Sequence, residues 1–171
     1  KALDAGVGTV MASFNSINDL KCHANGYLFN DLLKDEMGFD GFVISDWQGI
    51  DEIPGDYKSD IINSVNAGID MIMVPGAVPN GGEHYKTFLS LFKEAVDEGL
   101  ITEERLNDAV RRIMRIKYRS GLMNNPMTDR TLLEKAGSIE HKDLARESVQ
   151  KTQVLLKNDG LLPLNKSYNY F

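Results

Sequence analysis

Cysteine, tryptophan, long apolar runs and net positive charge are all scarce in this sequence. One cysteine, Cys22, stands among 171 residues. A single thiol excludes an internal disulfide and argues against a Cys-based metal site. No apolar stretch is long enough to span a bilayer. The formal net charge is −6 and the pI about 5.1. That balance argues against a nucleic-acid partner, which would need a basic face. Arg111, Arg112 and Arg115 are grouped, but at helical spacing among acidic residues, and read as a solvated helix face. No internal repeat or low-complexity tract occurs. The chain opens on "KALDAGVGTV" and closes on "NKSYNYF". Both ends read as cut from something longer, so the want of a targeting segment says nothing of the parent.

What is present is a globular composition, 42% hydrophobic, enough to bury a sizeable core. Residues 7–14 are small, apolar and β-branched, and predict a buried strand. "NSIND" follows as a loop. Asn25 caps a predicted helix with Leu28, Leu32, Leu33 and Met37 on its apolar face. Residues 41–45 form a short apolar run, suited to a parallel strand covered on both sides. A helix is predicted over 57–67, a third strand over "IDMIMVP", a loop over "GAVPNGGE" and a helix over 84–98. Thr102 caps a last helix, with Glu103 and Glu104 favourable in its first turn. The order β-α-β-α-β-α-α with short connections predicts a parallel α/β sheet. Three strands cannot close a barrel, so further strands are expected before residue 1. From 123 onward the texture changes. A loop, a helix with Leu144, Ala145 and Val149 on one side, and a strand in "QVLLKNDGLLPL" read as the start of a second domain.

The stretch "GFDGFVISDWQGID" holds the strongest chemical signal. An apolar run delivers Asp46 and the chain's single tryptophan, Trp47, to one strand end. In a parallel α/β barrel, active sites form at that end. A carboxylate there can be a nucleophile, a base, a metal ligand or a helix cap. The indole offers a flat face for stacking on a sugar, or serves core packing. His23, His84 and His141 show no ligand spacing. His23 is expected to order its loop, and the other two to be solvated at helix starts. Asp70 is expected to play a structural part at the opposite strand end. Neither a metal nor a cofactor is called for.

The run "LLKDEMGFDGFVISDWQG" resembles the active-site signature of glycoside hydrolase family 3, through Leu32, Leu33, Lys34, Glu36, Gly41, Phe42, Val43, Ile44, Ser45 and Asp46. The flanking "VMASFNSIND", "HANGYLFNDLL", "AGIDMIMVP", "RLNDAVRRIMRIKYRSGL" and "HKDLARESVQKTQVLLKNDGLLPL" resemble the same family in the same order, with its exo-acting β-glucan glucohydrolases and β-glucosidases most similar. The resemblance implies that residues 1–122 are the C-terminal part, about three βα units, of a TIM-type (β/α)8 catalytic barrel. Residues 123–171 would be a linker helix and the first strand of a second α/β domain. It further implies Asp46 as nucleophile and Trp47 as part of a sugar clamp in retaining hydrolysis of terminal β-D-glucosyl residues. The partner would be a β-glucan or β-glucoside, and the location secreted or periplasmic. β-Xylosides, β-N-acetylglucosaminides and a non-catalytic carbohydrate-binding role stand as alternatives. In two-domain members the acid/base lies in the second domain, past the end of this chain, and a Lys-His pair lies before residue 1. Asp51, Glu52 and Asp56 read as loop carboxylates. Phe14 stands where many members have Tyr. It keeps the ring in the sugar site and loses a hydrogen bond.

Overall fold

The computed structural model describes residues 1–76 and 84–167. The loop expected over 76–83 therefore lies, apart from Gly76, outside the described residues. The chain forms two units, Lys1–Pro126 and Met127–Phe171.

The first unit is built on two parallel strands, β1 (Thr9–Met11) and β4 (Phe42–Ile44), with Val10 opposite Val43. Both strands are shorter than expected. Gly41 lets them approach, since a Cβ there would stand 2.2 Å from the Gly8 carbonyl oxygen. The expected third strand is reduced to one bridge, Ile44 to Met71. Its segment is still tied on, by Ser45 N–H to the Met71 carbonyl at 2.9 Å. Beyond that bridge the segment makes no further regular pairing with β4 among the described residues. The described residues thus form a mixed α/β layer in which no barrel is closed.

Two elements depart from expectation. The "NSIND" loop is a small hairpin, β2 (Ser16–Ile17) against β3 (Leu20–Lys21). Asn18 and Asp19 both take positive φ, 51° and 64°, as a tight two-residue hairpin turn requires. The helix after Asn25 runs over Tyr27–Glu36 and is wider than an α-helix. It ends on a bond from Met37 N–H to the Leu32 carbonyl, five residues back. Asn25 starts it by accepting the Leu28 N–H through Oδ1.

The remaining helices lie close to expectation: α1 (Tyr57–Asn66), α2 (His84–Asp97) and α3 (Glu103–Arg119). Asp56 caps α1 through the Ser59 N–H, and Thr102 caps α3 through the Arg105 N–H. Ile61, Val65, Ala95 and Ile101 pack with Ile50 and Ile53 into one apolar cluster; Ala12, Phe29, Phe39, Val43 and Ile69 form another. Each fully buried branched side chain contributes about 1.5–3 kcal/mol.

The solvated reading of the α3 arginines is corrected for two of them. Arg112 donates to the Phe39 and Gly41 carbonyls at 2.7 and 3.0 Å, and Arg115 to the Asp40 carbonyl at 2.6 Å. The guanidinium forks satisfy the loop that feeds β4, where no strand takes these oxygens among the described residues. Asp70 has the structural part expected of it. Its buried carboxylate receives Lys34, Arg105 and the Val43 N–H.

The second unit holds a short turn at Leu133–Lys135 and one helix, α4 (Ile139–Thr152), capped by Ser138. The strand expected in "QVLLKNDGLLPL" is absent among the described residues. Val154, Leu155 and Leu156 are exposed there, with no partner strand to pair them. A turn follows, held by Asn158, which bonds Leu162 through both its amide atoms.

Candidate active site

The site grows from the end of β4. Ser45 is fully buried and locks the exit of the strand. Its Oγ accepts the Met73 N–H at 2.8 Å and donates to the Asp46 carbonyl at 2.9 Å. The Asp46 carbonyl also accepts the Gly49 N–H at 3.1 Å. The Asp46 N–H in turn donates to Nε2 of His23 at 3.1 Å. The main chain of Asp46 is therefore held at both polar atoms.

Its side chain is held at one. Asp46 Oδ1 accepts the Trp47 N–H at 2.7 Å. Oδ2 makes no hydrogen bond among the described residues. A half-buried carboxylate with one fixed oxygen and one open oxygen can attack, accept a proton or bind a cation. Beyond it, Gln48 adopts φ 58°, an uncommon value for a residue with a side chain. That turn is fixed by the Gln48 N–H on the Met73 carbonyl and the Gln48 amide on Asp51. Trp47 is left 56% exposed.

Phe14 lies three residues beyond β1, and its ring meets the His23 ring at 5.9 Å between centroids. Phe14, His23 and Asp46 thus form a continuous series, and Trp47 joins it through its N–H. His23 is the residue that sequence reasoning undervalued. It is 0% exposed. Burial, and secondarily Lys21, hold its pKa below the ordinary value near 6.5, against the opposing charge of Asp46. The expectation that His84 is solvated is corrected. It packs on the Tyr57 ring at 4.6 Å and lies 3.2 Å from Asp51. His141 only continues α4 from its cap.

The loop carboxylates have other partners. Asp56 caps α1, Glu52 lies 3.6 Å from Lys21, and Asp51 faces Gln48 and His84. Among the described residues no group of three His, Cys, Asp or Glu side chains could hold a metal ion, and no helix is long and apolar enough to cross a membrane.

Comparison with known proteins gives the family. The chain is 34% identical to a periplasmic beta-glucosidase of Salmonella typhimurium over 96% of its length, and 33% identical to a beta-xylosidase of Formosa agariphila, also over 96%. It covers 22% and 23% of those two proteins. It superposes on the crystal structure of an exo-1,3/1,4-beta-glucanase from a Pseudoalteromonas species with TM-score 0.76 and 40% identity, over 96% of this chain and 20% of that one. The chain thus spans about a fifth of the length of the curated relatives it matches. The description "Glycosyl hydrolase family 3 N terminal domain" fits residues 1–116. With well over half its length inside that domain, the chain belongs to glycosyl hydrolase family 3.

Proposed function

We propose that this chain supplies the nucleophile of a retaining exo-β-glucosidase that removes terminal non-reducing β-D-glucosyl residues from β-glucans or β-glucosides. In this reading residues 1–122 are the C-terminal part of a TIM-type catalytic barrel. Residues 123–171 lead into a second α/β domain. The observation that carries the proposal is Asp46 at the C-terminal end of a parallel strand, with Oδ1 on the Trp47 N–H and Oδ2 open. Oδ2 attacks the anomeric carbon and the glycosidic bond breaks as the leaving oxygen takes a proton. An acid contributed from outside this chain, about 5–5.5 Å away, gives that proton and later activates water. Trp47 stacks on the sugar face, and Phe14 closes the same pocket without a hydroxyl. The name of one relative, the periplasmic beta-glucosidase, favours glucose and a location outside the cytoplasm. The beta-xylosidase relative favours a second substrate, the β-xyloside, which differs by the absent hydroxymethyl group.

The test uses the complete parent enzyme. An activated 2-deoxy-2-fluoro glucoside accumulates the glycosyl-enzyme, because fluorine slows its breakdown more than a good leaving group slows its formation. The adduct is expected on Asp46, and faster than with the xyloside analogue. Labelling of another carboxylate, or turnover undiminished in Asp46→Gly, overturns the proposal.

A further inference from the structure

We propose that His23 is a positioning residue for Asp46: as the neutral Nδ1-protonated tautomer, it accepts the Asp46 N–H on Nε2 and sets the angle at which the carboxylate leaves the strand. The inference rests on Asp46 being the nucleophile.

Three observations carry it. First, the Asp46 N–H makes its bond to no carbonyl of the sheet but to a side chain 23 residues away. The amide of a strand-end residue has left the ladder, and His23 is what replaces the ladder. Second, the imidazole is wholly buried, and Nδ1 has no hydrogen-bond partner among the described residues. The Asp46 N–H is thus the ring's one polar contact there. That contact also fixes the tautomer, since Nε2 must keep its lone pair to accept. Third, space is reserved for the ring. A Cβ on Gly49 would stand 2.3 Å from Nε2 and 2.5 Å from Cε1 of His23. Gly49 in turn donates to the Asp46 carbonyl. Glycine at 49 therefore serves both ends of the Asp46 peptide units, by admitting His23 to the N–H and by bonding the carbonyl. Phe14 covers the ring from the β1 side.

Protonation would turn Nε2 into a donor facing another donor, and the bond would be lost. The charges facing the ring are those of Asp46 and Lys21. Burial keeps the ring neutral at neutral pH, so the contact persists there and fails only at acid pH.

The test compares two substitutions in the complete parent enzyme. His23→Gln places an amide oxygen near Nε2 and keeps the acceptor without the titration. His23→Leu keeps apolar volume and removes the acceptor. Misplacing a reacting group by about 1 Å costs about 100-fold. His23→Leu is expected to lose about 10- to 100-fold in kcat and in the rate of trapping by the fluoro glucoside, with KM little changed. His23→Gln is expected to stay within about threefold of the natural enzyme, and to hold its activity to lower pH. Equal losses in the two variants, or a greater loss in His23→Gln, would show packing alone and overturn the inference. Should His23→Leu fail to fold, nitrogen NMR of the natural enzyme decides: the Nδ1-protonated tautomer is required, and Nε2 protonation refutes it. The two claims fail separately. An adduct away from Asp46 overturns the nucleophile. An adduct on Asp46 that forms equally fast in His23→Leu overturns only the role of His23.

Discussion

The Lys34 ammonium lies 2.9 Å from Asp70 Oδ1, with 4% and 0% of the two side chains exposed. Lys34 also donates to the Gly68 carbonyl at 2.7 Å. Arg105 bonds the same carboxylate oxygen as Lys34, and Asp70 Oδ2 takes the Val43 N–H at 2.8 Å. One carboxylate thus joins the wide helix, β4 and α3 at the end of the strands away from Asp46. Burial lowers the Lys34 pKa, and Asp70 is the main influence opposing it. Removing one partner of a buried pair costs about 3–5 kcal/mol, because the other charge is left without compensation. Asp70→Asn in the parent enzyme is expected to lose that much stability in urea unfolding. A loss under about 1 kcal/mol would mean the cluster is solvated and of little weight.

Trp47 tests the opposite kind of residue. The residue is more than half exposed, so Trp47→Ala should change stability by less than about 1 kcal/mol. Loss of the stacking face should lower kcat/KM about tenfold or more, equal to about 1.4 kcal/mol of transition-state binding. Calorimetry and steady-state kinetics on the same preparation separate the two effects. A large fall in melting temperature would assign Trp47 to packing.

Asp60 gives a pH dependence. Its carboxyl is buried in the first turn of α1, and Oδ1 has no hydrogen-bond partner among the described residues. Burial, with Asp51 and Asp56 nearby, raises its pKa to about 6. The folded state therefore holds this proton more tightly than the unfolded state does. Between the ordinary carboxylate value and pH 6, this group removes stability as pH rises, by up to about 1.4 kcal/mol per unit. Asp60→Asn should abolish that contribution. The variant is expected to gain on the natural protein at pH 7 and to match it more nearly at pH 4. A difference independent of pH, measured by denaturant midpoints, would contradict this.

The 171-residue chain by itself should fold poorly. Among the described residues β1 pairs only with β4, which leaves a sheet edge open. Leu156 is 92% exposed, and Met127, Val154 and Ile139 are exposed beside many other large apolar side chains. The expected behaviour is aggregation, or a broad transition without a heat-absorption peak. A sharp cooperative transition in calorimetry would refute it.

Much of this was legible in the residue pattern because it is local. The apolar triplet Phe42, Val43, Ile44 ending on Ser45 and Asp46 marks a covered strand and its functional end. Thr102 before Glu103 and Glu104 marks a helix start, and Thr102 does cap α3. The hairpin was also marked, by Asn18-Asp19 between Ile17 and Leu20, yet a two-residue turn is easily absorbed into a loop. His23 was not legible. Its partner is a main-chain N–H, and an N–H carries no residue-type signal. The arginine contacts were hidden for the same reason, since Arg112 and Arg115 bond carbonyls more than 70 residues earlier. The third strand was legible as apolar sequence, but a ladder also depends on what lies beside it.

The reach of Arg112 has a consequence for the order of events on the ribosome. The carbonyl of Phe39 precedes its guanidinium donor by 73 residues. At about 5–20 residues per second, synthesis needs about 4–15 s to cover that interval. For nearly all of it β1 and β4 have been made and the loop before β4 lacks its clamp. The nascent chain is then open to proteases and to chaperones that capture apolar strands. Stalled nascent chains of the complete parent enzyme ending at Ile101 should be cut readily within residues 39–45, and parent chains extending well past Arg119 should resist. Equal resistance would mean that β1 and β4 hold this loop without α3.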